Sequence, residues 1–539
     1  MSICCTCNFV GRCVRGGLSK AAARLQIPSL VPVLVFMRTP PLLVLLIALA
    51  GPAPTAGAAA TPRPNVLLLC VDDLKPLLGC YGDPLAKTPN LDRLAARGMR
   101  FDLAYCNQSV CAPSRNNLML GSRSTSLGIY GLQQNFRTTV PDAVTMTQHF
   151  MRHGWRAEAV GKVLHSGHGN HDDEASWSVP TVKDKVVEYL DPKNSAGGQL
   201  TREEALFTNQ KLGEIRSLPR GAAWEIMDVP DNAYADGRIA DEGIRRLRAA
   251  RERKDTPFFL ALGFVKPHLP LTAPKKYWDL HDPKAFPLAP RQRDPDGAPA
   301  YAGKVGGEIV AYDPLTVENL REEETQRTLL HAYYACISYM DAQLGRVLDE
   351  LDRLNLSEHT IIVLWGDHGW HLGDHGYWTK HTNYEQANRI PLLIVAPGVT
   401  RPGSATRQPA ETVDVFPTLA ELAGLPAPRG PQPIDGVSLV PVLRDPARRV
   451  RDHAYHAYPR GERLGRAIRT ERHRLVEWRR PGAPSDTAEF ELYDYVADPA
   501  ESRNLAAEQT AVVADVRRIL ARHPEAKPAG PAGAKKKKG

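Results

Sequence analysis

The sequence predicts an α/β fold: a large, mixed, mostly parallel sheet flanked by helices, followed by a smaller C-terminal antiparallel sheet subdomain. Three observations predict it. Continuous apolar runs at 65–71, 257–265 and 360–365 have the look of strands buried on both faces, as parallel strands are. Segments with apolar residues at helical spacing alternate with them, so helices can cover the sheet. After Arg444-Asp445-Pro446 the pattern changes to short alternating runs, the habit of an antiparallel sheet.

In chain order, the first strand covers 65–71 and ends at Asp72-Asp73. Thr88-Pro89-Asn90 opens a helix over 91–97, stopped by Gly98. A short strand is expected around 101–105. Pro113 and Ser114 sit where a helix start would place them, so 116–123 read as the first turns of a helix. Residues 145–153 make a helix stopped by Gly154. A strand at 156–160 then runs into Gly161-Lys162-Val163-Leu164-His165. Residues 166–235, rich in His, Gly, Asp, Asn and Pro, read as long surface loops of the kind that shape substrate pockets.

A charged helix is expected at 236–251. The strand at 257–265 ends at Lys266-Pro267-His268, and the proline-rich stretch 281–315 is again loop. Residues 322–354 carry Ile337, Met340, Leu344, Val347, Leu348 and Leu351 at helical spacing and read as one long helix. The strand at 360–365 ends at Gly366-Asp367-His368. Another strand follows at 391–396, then a helix at 413–423 closed by Gly424. In the C-terminal part 466–469, 473–478 and 490–493 read as strands, with a helix near 511–521 packed on them. The expected organisation is a leader and export signal at 1–60, a catalytic domain at 61–447, an α+β subdomain at 448–524 and a disordered basic tail at 525–539.

The net charge of +8 sits in the two ends of the chain. Residues 1–60 hold five basic residues and no acid, and Lys535 to Lys538 add four more charges, leaving the body near −1. A basic face for nucleic acid is therefore not expected. Met37-Arg38-Thr39 followed by the apolar stretch 41–50 and Ala58-Ala59-Ala60 has the form of an export signal, too short for a stable membrane span, with Met37 as the expected start. Periplasmic or secreted localisation follows. Cys4, Cys5, Cys7 and Cys13 in the leader fit no zinc spacing. Of the remaining five cysteines, Cys70, Cys80, Cys106 and Cys336 are available for disulfides in an oxidising compartment.

Four strands end in chemically capable residues: Asp72-Asp73, Lys162 with His165, Lys266 with His268, and Asp367-His368. In an open α/β sheet, ligands bind outside the carboxyl ends of the strands, so these segments can meet at one edge. Asp72, Asp73, Asp367 and His368 are three hard carboxylates plus one imidazole, a donor set that favours Ca²⁺ or Mg²⁺ over a thiolate-type metal. Cys111 joins them at a helix start, where backbone N–H groups favour an anion.

Cys111-Ala112-Pro113-Ser114-Arg115, followed by Gly121-Ser122-Arg123, resembles the signature of the formylglycine-dependent sulfatase family. The stretch Asp367-His368-Gly369-Trp370-His371-Leu372-Gly373-Asp374-His375-Gly376-Tyr377-Trp378-Thr379-Lys380 resembles that family's metal-and-lysine block. With Gly161-Lys162-Val163-Leu164-His165 and Lys266-Pro267-His268, it is most similar to the subgroup acting on 2-O-sulfated uronic acids, as in heparan or dermatan sulfate. The resemblance implies an alkaline-phosphatase-like sulfatase fold and oxidation of Cys111 to a formylglycine aldehyde by a formylglycine-generating enzyme. One hydroxyl of the aldehyde hydrate can attack sulfur, and the other can expel sulfate by re-forming the aldehyde. It further implies one Ca²⁺ held by Asp72, Asp73, Asp367, His368 and the modified Cys111. Arg115 would steady the hydrate, and Lys162 and Lys380 would bind sulfate oxygens. His268 would protonate the leaving oxygen, and His165 would help deprotonate the hydrate. The partner is a sulfated oligosaccharide or polysaccharide.

Bottom-up, two ammonium groups and a cation suit an ester whose oxygens gain charge as the bond breaks, and imidazoles suit the proton transfers. His371 reads as part of a Gly-rich surface loop, and Trp378 as core packing. Two other readings compete. A phosphate or phosphonate ester hydrolase with two zinc ions would need more His and Asp ligands. A glycan-binding protein without activity would be expected to have lost Cys111 or a carboxylate.

Overall fold

Val66 to Val71 alternate between two apolar faces, and both faces are covered. The computed structural model describes residues 63–210 and 214–530. In it β1 (Asn65–Val71) sits inside a seven-stranded sheet with β2 (Met99–Phe101), β3 (Arg156–Gly161), β4 (Phe258–Phe264), β5 (Thr360–Gly366), β6 (Leu392–Val395) and β7 (Ser404–Thr406). The spatial order is β7-β2-β6-β5-β1-β4-β3. The four neighbouring strands β5, β1, β4 and the edge strand β3 are parallel; β6 runs antiparallel to β5, and β2 to β6.

The helices that matter for the site are α1 (Pro89–Arg97), α2 (Cys111–Leu120), α3 (Met146–Arg152), α4 (Arg202–Phe207), α5 (Ala235–Glu252), α6 (Glu323–Arg353), α7 (Val415–Leu422) and α8 (Thr510–Leu520). Leu67, Leu69 and Val71 pack with Leu91 of α1, Leu247 of α5 and Leu344 of α6. Val66, Leu68 and Cys70 face the other way, with Leu118 of α2, Phe150 of α3 and Phe416 of α7. The strand period of two therefore divides the core into two layers, one on each side of the sheet.

Strand register places the chemistry. Val71 pairs with Phe264 of β4 and Gly366 of β5, and Gly161 of β3 pairs with Gly263. The next residues of all four strands then form one line along the carboxyl edge of the sheet. Gly263 allows β3 to pass closely here, because a Cβ would collide with the Lys162 backbone. Beyond the large sheet, β8 (His453–Arg460), β9 (Arg463–Thr470), β10 (His473–Arg479) and β11 (Glu489–Asp494) form an antiparallel meander. Val513, Val516 and Leu520 of α8 cover one face of it.

Several elements differ from the sequence reading. The Cys111 helix begins at Cys111 itself and ends at Leu120, with Gly121 at φ 64° as its left-handed stop. All its residues are buried, so no amphipathic period marks its start. The strand expected at 101–105 is two pieces, β2 and Ala104–Tyr105. Within 166–235, read as loop, lie α4 with a Thr201/Glu204 capping box and a strand, Trp224–Met227, paired with Leu271–Pro274. The first strand of the meander, β8, was not anticipated. Residues 525–530, read as disordered, pack on the body: Ala526 is buried, Lys527 N donates to Thr125 O at 2.8 Å, and Gly530 N to Gly128 O at 2.8 Å.

The five cysteines among the described residues are all free. Cys106 and Cys336 face backbone carbonyls of Ala387 and Thr272 instead of each other's sulfur. The expected leader and export signal at 1–60, and the tail from Pro531, lie outside the described residues. Among the described residues no helix is long and apolar enough to cross a membrane.

Candidate active site

Cys111 is the first residue of α2 and is 2 % exposed. Its Sγ lies 3.3 Å from His368 Nε2. One turn on, Arg115 is fully buried and spans two strand ends. Its Nε donates to Asp367 Oδ2 at 3.0 Å and an Nη to Asp72 Oδ1 at 3.0 Å. The other Nη donates to the carbonyls of Lys162 and Val163. A planar fork can serve two carboxylates and a third strand at once, which an ammonium cannot. Asp367 Oδ1 accepts from the backbone N–H of Asp73 at 3.0 Å and of His368 at 2.9 Å. Asp73 holds a left-handed φ of 57°, a strained conformation for a non-glycine residue and common at functional sites.

Each site lysine is held by a different aspartate. Lys162 Nζ pairs with Asp72, and Lys380 Nζ lies 3.0 Å from Asp73 Oδ1. Lys380 also meets Glu308 Oε2 at 3.0 Å, and His268 Nε2 lies 3.4 Å from Glu308 Oε1. His268 Nδ1 is 2.5 Å from Leu269 O, so it carries the hydrogen and Nε2 is the atom turned to the site. His165 Nε2 faces His168 Nδ1 at 3.3 Å, while its Nδ1 is buried without a partner.

The electrostatics follow from this crowding. Burial works to raise Asp72, yet Lys162, His268 and Arg115 hold it well below the usual carboxylate range. Burial pushes Asp73 up to about 7, with Asp72 and Glu308 adding to the push against Lys380. Burial and the neighbouring Asp72 push Asp367 well up. Burial and the lysines hold His165, His268 and His368 well below the ordinary imidazole value. Burial and Asp72 push the Cys111 thiol well up, so the unmodified thiol is no ready nucleophile.

Asp72, Cys111, Asp367 and His368 bring ligand atoms within 4.8 Å of one another, and so do Asp73, Cys111 and His268. Asp73 and Asp367, forced up by burial and by neighbouring carboxylates, are groups whose charge a bound divalent cation would favour, so the donor set fits a hard cation.

Every residue singled out from the sequence for the site is thus at the same sheet edge. Lys266 is turned away, with its Nζ donating to His268 O at 3.0 Å. His371, read as loop, is instead buried, with Nε2 2.9 Å from Thr382 Oγ1. Trp378 packs in the core, as read. Sequence reasoning missed the residues that wall the site. A cavity of about 300 Å³ opens over Cys111, lined by His165, His268 and Lys380 but also by Arg202, Glu203, Phe207, Lys304 and Glu308. They come from the segments read as loops. The only signal was Glu203-Glu204 after Thr201, a capping pattern for a helix.

The sulfatase family model matches residues 64–425. The chain belongs to the sulfatase family. As a member it is a sulfuric ester hydrolase, with the alkaline-phosphatase-like fold of that family. A second model, described as the C-terminal part of N-sulphoglucosamine sulphohydrolase, matches 373–525. Iduronate 2-sulfatase of Mus musculus is 35% identical over 405 residues, covering 69% of this sulfatase and 71% of the relative. The Homo sapiens counterpart is 34% identical over 425 residues, covering 71% and 74%. Among solved structures, a protein in complex with its substrate D-glucosamine-2-N,6-O-disulfate aligns with TM-score 0.64 at 22% identity, covering 85% of this chain and 96% of that one. A phosphonate monoester hydrolase from Silicibacter pomeroyi aligns with TM-score 0.65 at 21% identity, covering 86% and 95%. These two likenesses concern the fold alone.

Proposed function

We propose that this sulfatase removes the 2-O-sulfate from uronic acid residues of a sulfated glycan, after export from the cell. The observation that carries the chemistry is Cys111, buried at the start of α2 and ringed by Asp72, Asp73, Asp367, His368 and Lys380. The likeness to iduronate 2-sulfatases over some 70% of the chain supports the substrate class. When present, formylglycine at position 111 supplies the nucleophilic hydrate, and one Ca²⁺ held by Asp72, Asp73, Asp367, His368 and that group supplies charge neutralisation.

The chain's own residues do the rest. Lys162 and Lys380 bind the sulfate oxygens, where negative charge grows as the ester breaks. Arg115 fixes Asp72, Asp367 and the start of the Lys162 loop in one frame. His165, kept neutral by burial, would accept the proton of the second hydroxyl so that sulfate leaves. His268 Nε2 delivers a proton to the leaving sugar oxygen. In the free site burial, and then Lys162 and Lys380, disfavour its charged form. A bound sulfate ester, which is anionic, offsets those lysines, and Glu308 at 3.4 Å stabilises the imidazolium.

Mass spectrometry of the Cys111 peptide from the exported protein, together with turnover of 2-O-sulfated uronides, tests the proposal. The expected result is aldehyde in place of thiol and preferential release of sulfate from the uronide. An unmodified Cys111 in protein from its native host would overturn the mechanism. Preference for a neutral sulfated sugar would overturn the substrate.

A further inference from the structure

The cavity over Cys111 is charged at two levels. At its floor, every cation already has an anionic or polar partner. Lys380 is bound to Asp73 and Glu308, and His165 is paired with His168. His268 is held between Leu269 O and Glu308. His381 Nδ1 lies 3.5 Å from Thr379 Oγ1. Two further cations line the same cavity, Arg202 at the start of α4 and Lys304 in the loop before Glu308.

Lys304 is exposed and has no ion-pair partner among the described residues. Arg202 reaches only Glu203, at 3.7 Å, with 40% of its side chain exposed. The acids of the cavity do not cancel them. Glu308 is engaged by Lys380 and His268. Glu203 is pushed up to about 7 by burial and by Glu308, so much of it is protonated at neutral pH. The volume, about 300 Å³, has room for roughly one sugar ring. A ligand with sulfate at the floor therefore meets two available cations around the rest of its ring.

We propose that Lys304 and Arg202 form the subsite for a second anionic group on the sulfated ring, the uronate carboxylate. This rests on the sulfated-uronate reading and adds the residues that would select it. A guanidinium offers the carboxylate a bidentate partner, and an ammonium offers a point charge beside it. A neutral sulfated hexose would gain nothing from either. Discrimination would then lie in binding, while the reacting groups at the floor stay as they are.

The full chain, carrying the mature nucleophile, is assayed on a 2-O-sulfated uronide and on its carboxyl-reduced analogue, which differs only in that charge. The wild type is expected to show KM about tenfold lower for the acid, the scale of one charged hydrogen-bonded contact. Lys304→Gln and Arg202→Gln should each raise KM for the acid, about fivefold or more, with kcat within about twofold and the reduced analogue unaffected. Lys304→Arg should restore most of the acid preference. Lys304 is exposed and Arg202 half-buried with no buried ion pair to break, so neither change removes core packing. Variants that retain the wild-type preference for the acid would overturn the subsite and leave the uronate reading standing. Equal KM for the two substrates in the wild type would overturn both.

Discussion

Replacing Arg115 by lysine keeps the charge and removes the fork. In the native protein the guanidinium holds Asp367 Oδ2 and Asp72 Oδ1, each at 3.0 Å, and two carbonyls from the Lys162 segment. A lysine ammonium reaching this point can serve one carboxylate and leaves the other, with the carbonyls, unpaired in a fully buried place. Breaking a buried ionic network of this kind costs about 3–5 kcal/mol. A folded unit of roughly 470 residues unfolds with an entropy near 1 kcal/mol per kelvin. Arg115→Lys should therefore lower Tm by about 3–5 °C in scanning calorimetry. Activity should fall much further than stability, because the same fork aligns the ends of three strands; about 10²-fold in kcat is expected for an error near 1 Å. A variant with Tm within 1 °C of wild type and kcat within about twofold would refute the claim that this side chain sets the geometry.

Asp367→Ala removes a carboxylate that accepts three hydrogen bonds and should abolish both activity and the rise in Tm caused by added calcium; near-normal turnover would contradict the metal assignment. His268→Ala should slow alkyl sulfates about 10²-fold while aryl sulfates, whose leaving groups need little protonation, lose less than tenfold, and an equal loss for both would remove its role as acid. Glu385 offers a test of pH dependence. Burial opposes its charge, but Arg469 at 3.0 Å brings its pKa down to about 2. A depressed carboxylate stabilises the fold above the unfolded value of 4.5 and loses that effect as pH falls toward 2. Glu385→Gln should be less stable than wild type at pH 7, with the gap in Tm closing between pH 4.5 and 2; a gap that stays constant with pH would contradict the pairing.

The large sheet and the floor of the site were legible in the sequence because one physical signal carried both. Strands buried on both faces read as unbroken apolar runs, and polar residues directly after them must lie at the sheet edge. Asp72, His268 and Asp367 were found that way, and Lys162 by its place after the shorter strand at 156–160. The walls were not, because they hang on weak signals. Arg202 and Phe207 sit on a helix of only six residues, too short to display a period. Lys304 and Glu308 lie within the proline-rich stretch 281–315, on either side of a Gly306-Gly307 pair, both glycines with positive φ, where no repeat exists to read. The start of α2 was placed late because a helix buried on every side shows no amphipathic boundary. Residues 525–530 were read by composition, and composition cannot register backbone hydrogen bonds to Thr125 and Gly128.

Those last hydrogen bonds bear on timing. The segment leaving the Cys111 helix receives contacts from Glu411, Asp435 and residues 527–530, all made late in synthesis. Asp367 and His368, which enclose Cys111 directly, are also far downstream. His368, whose ring lies against the Cys111 sulfur, is made 257 residues later. In the folded protein the thiol is 2 % exposed and borders the cavity over α2. An enzyme that alters this side chain therefore meets it least enclosed before Asp367 and His368 have been added, and the folded site then holds whatever stands at position 111.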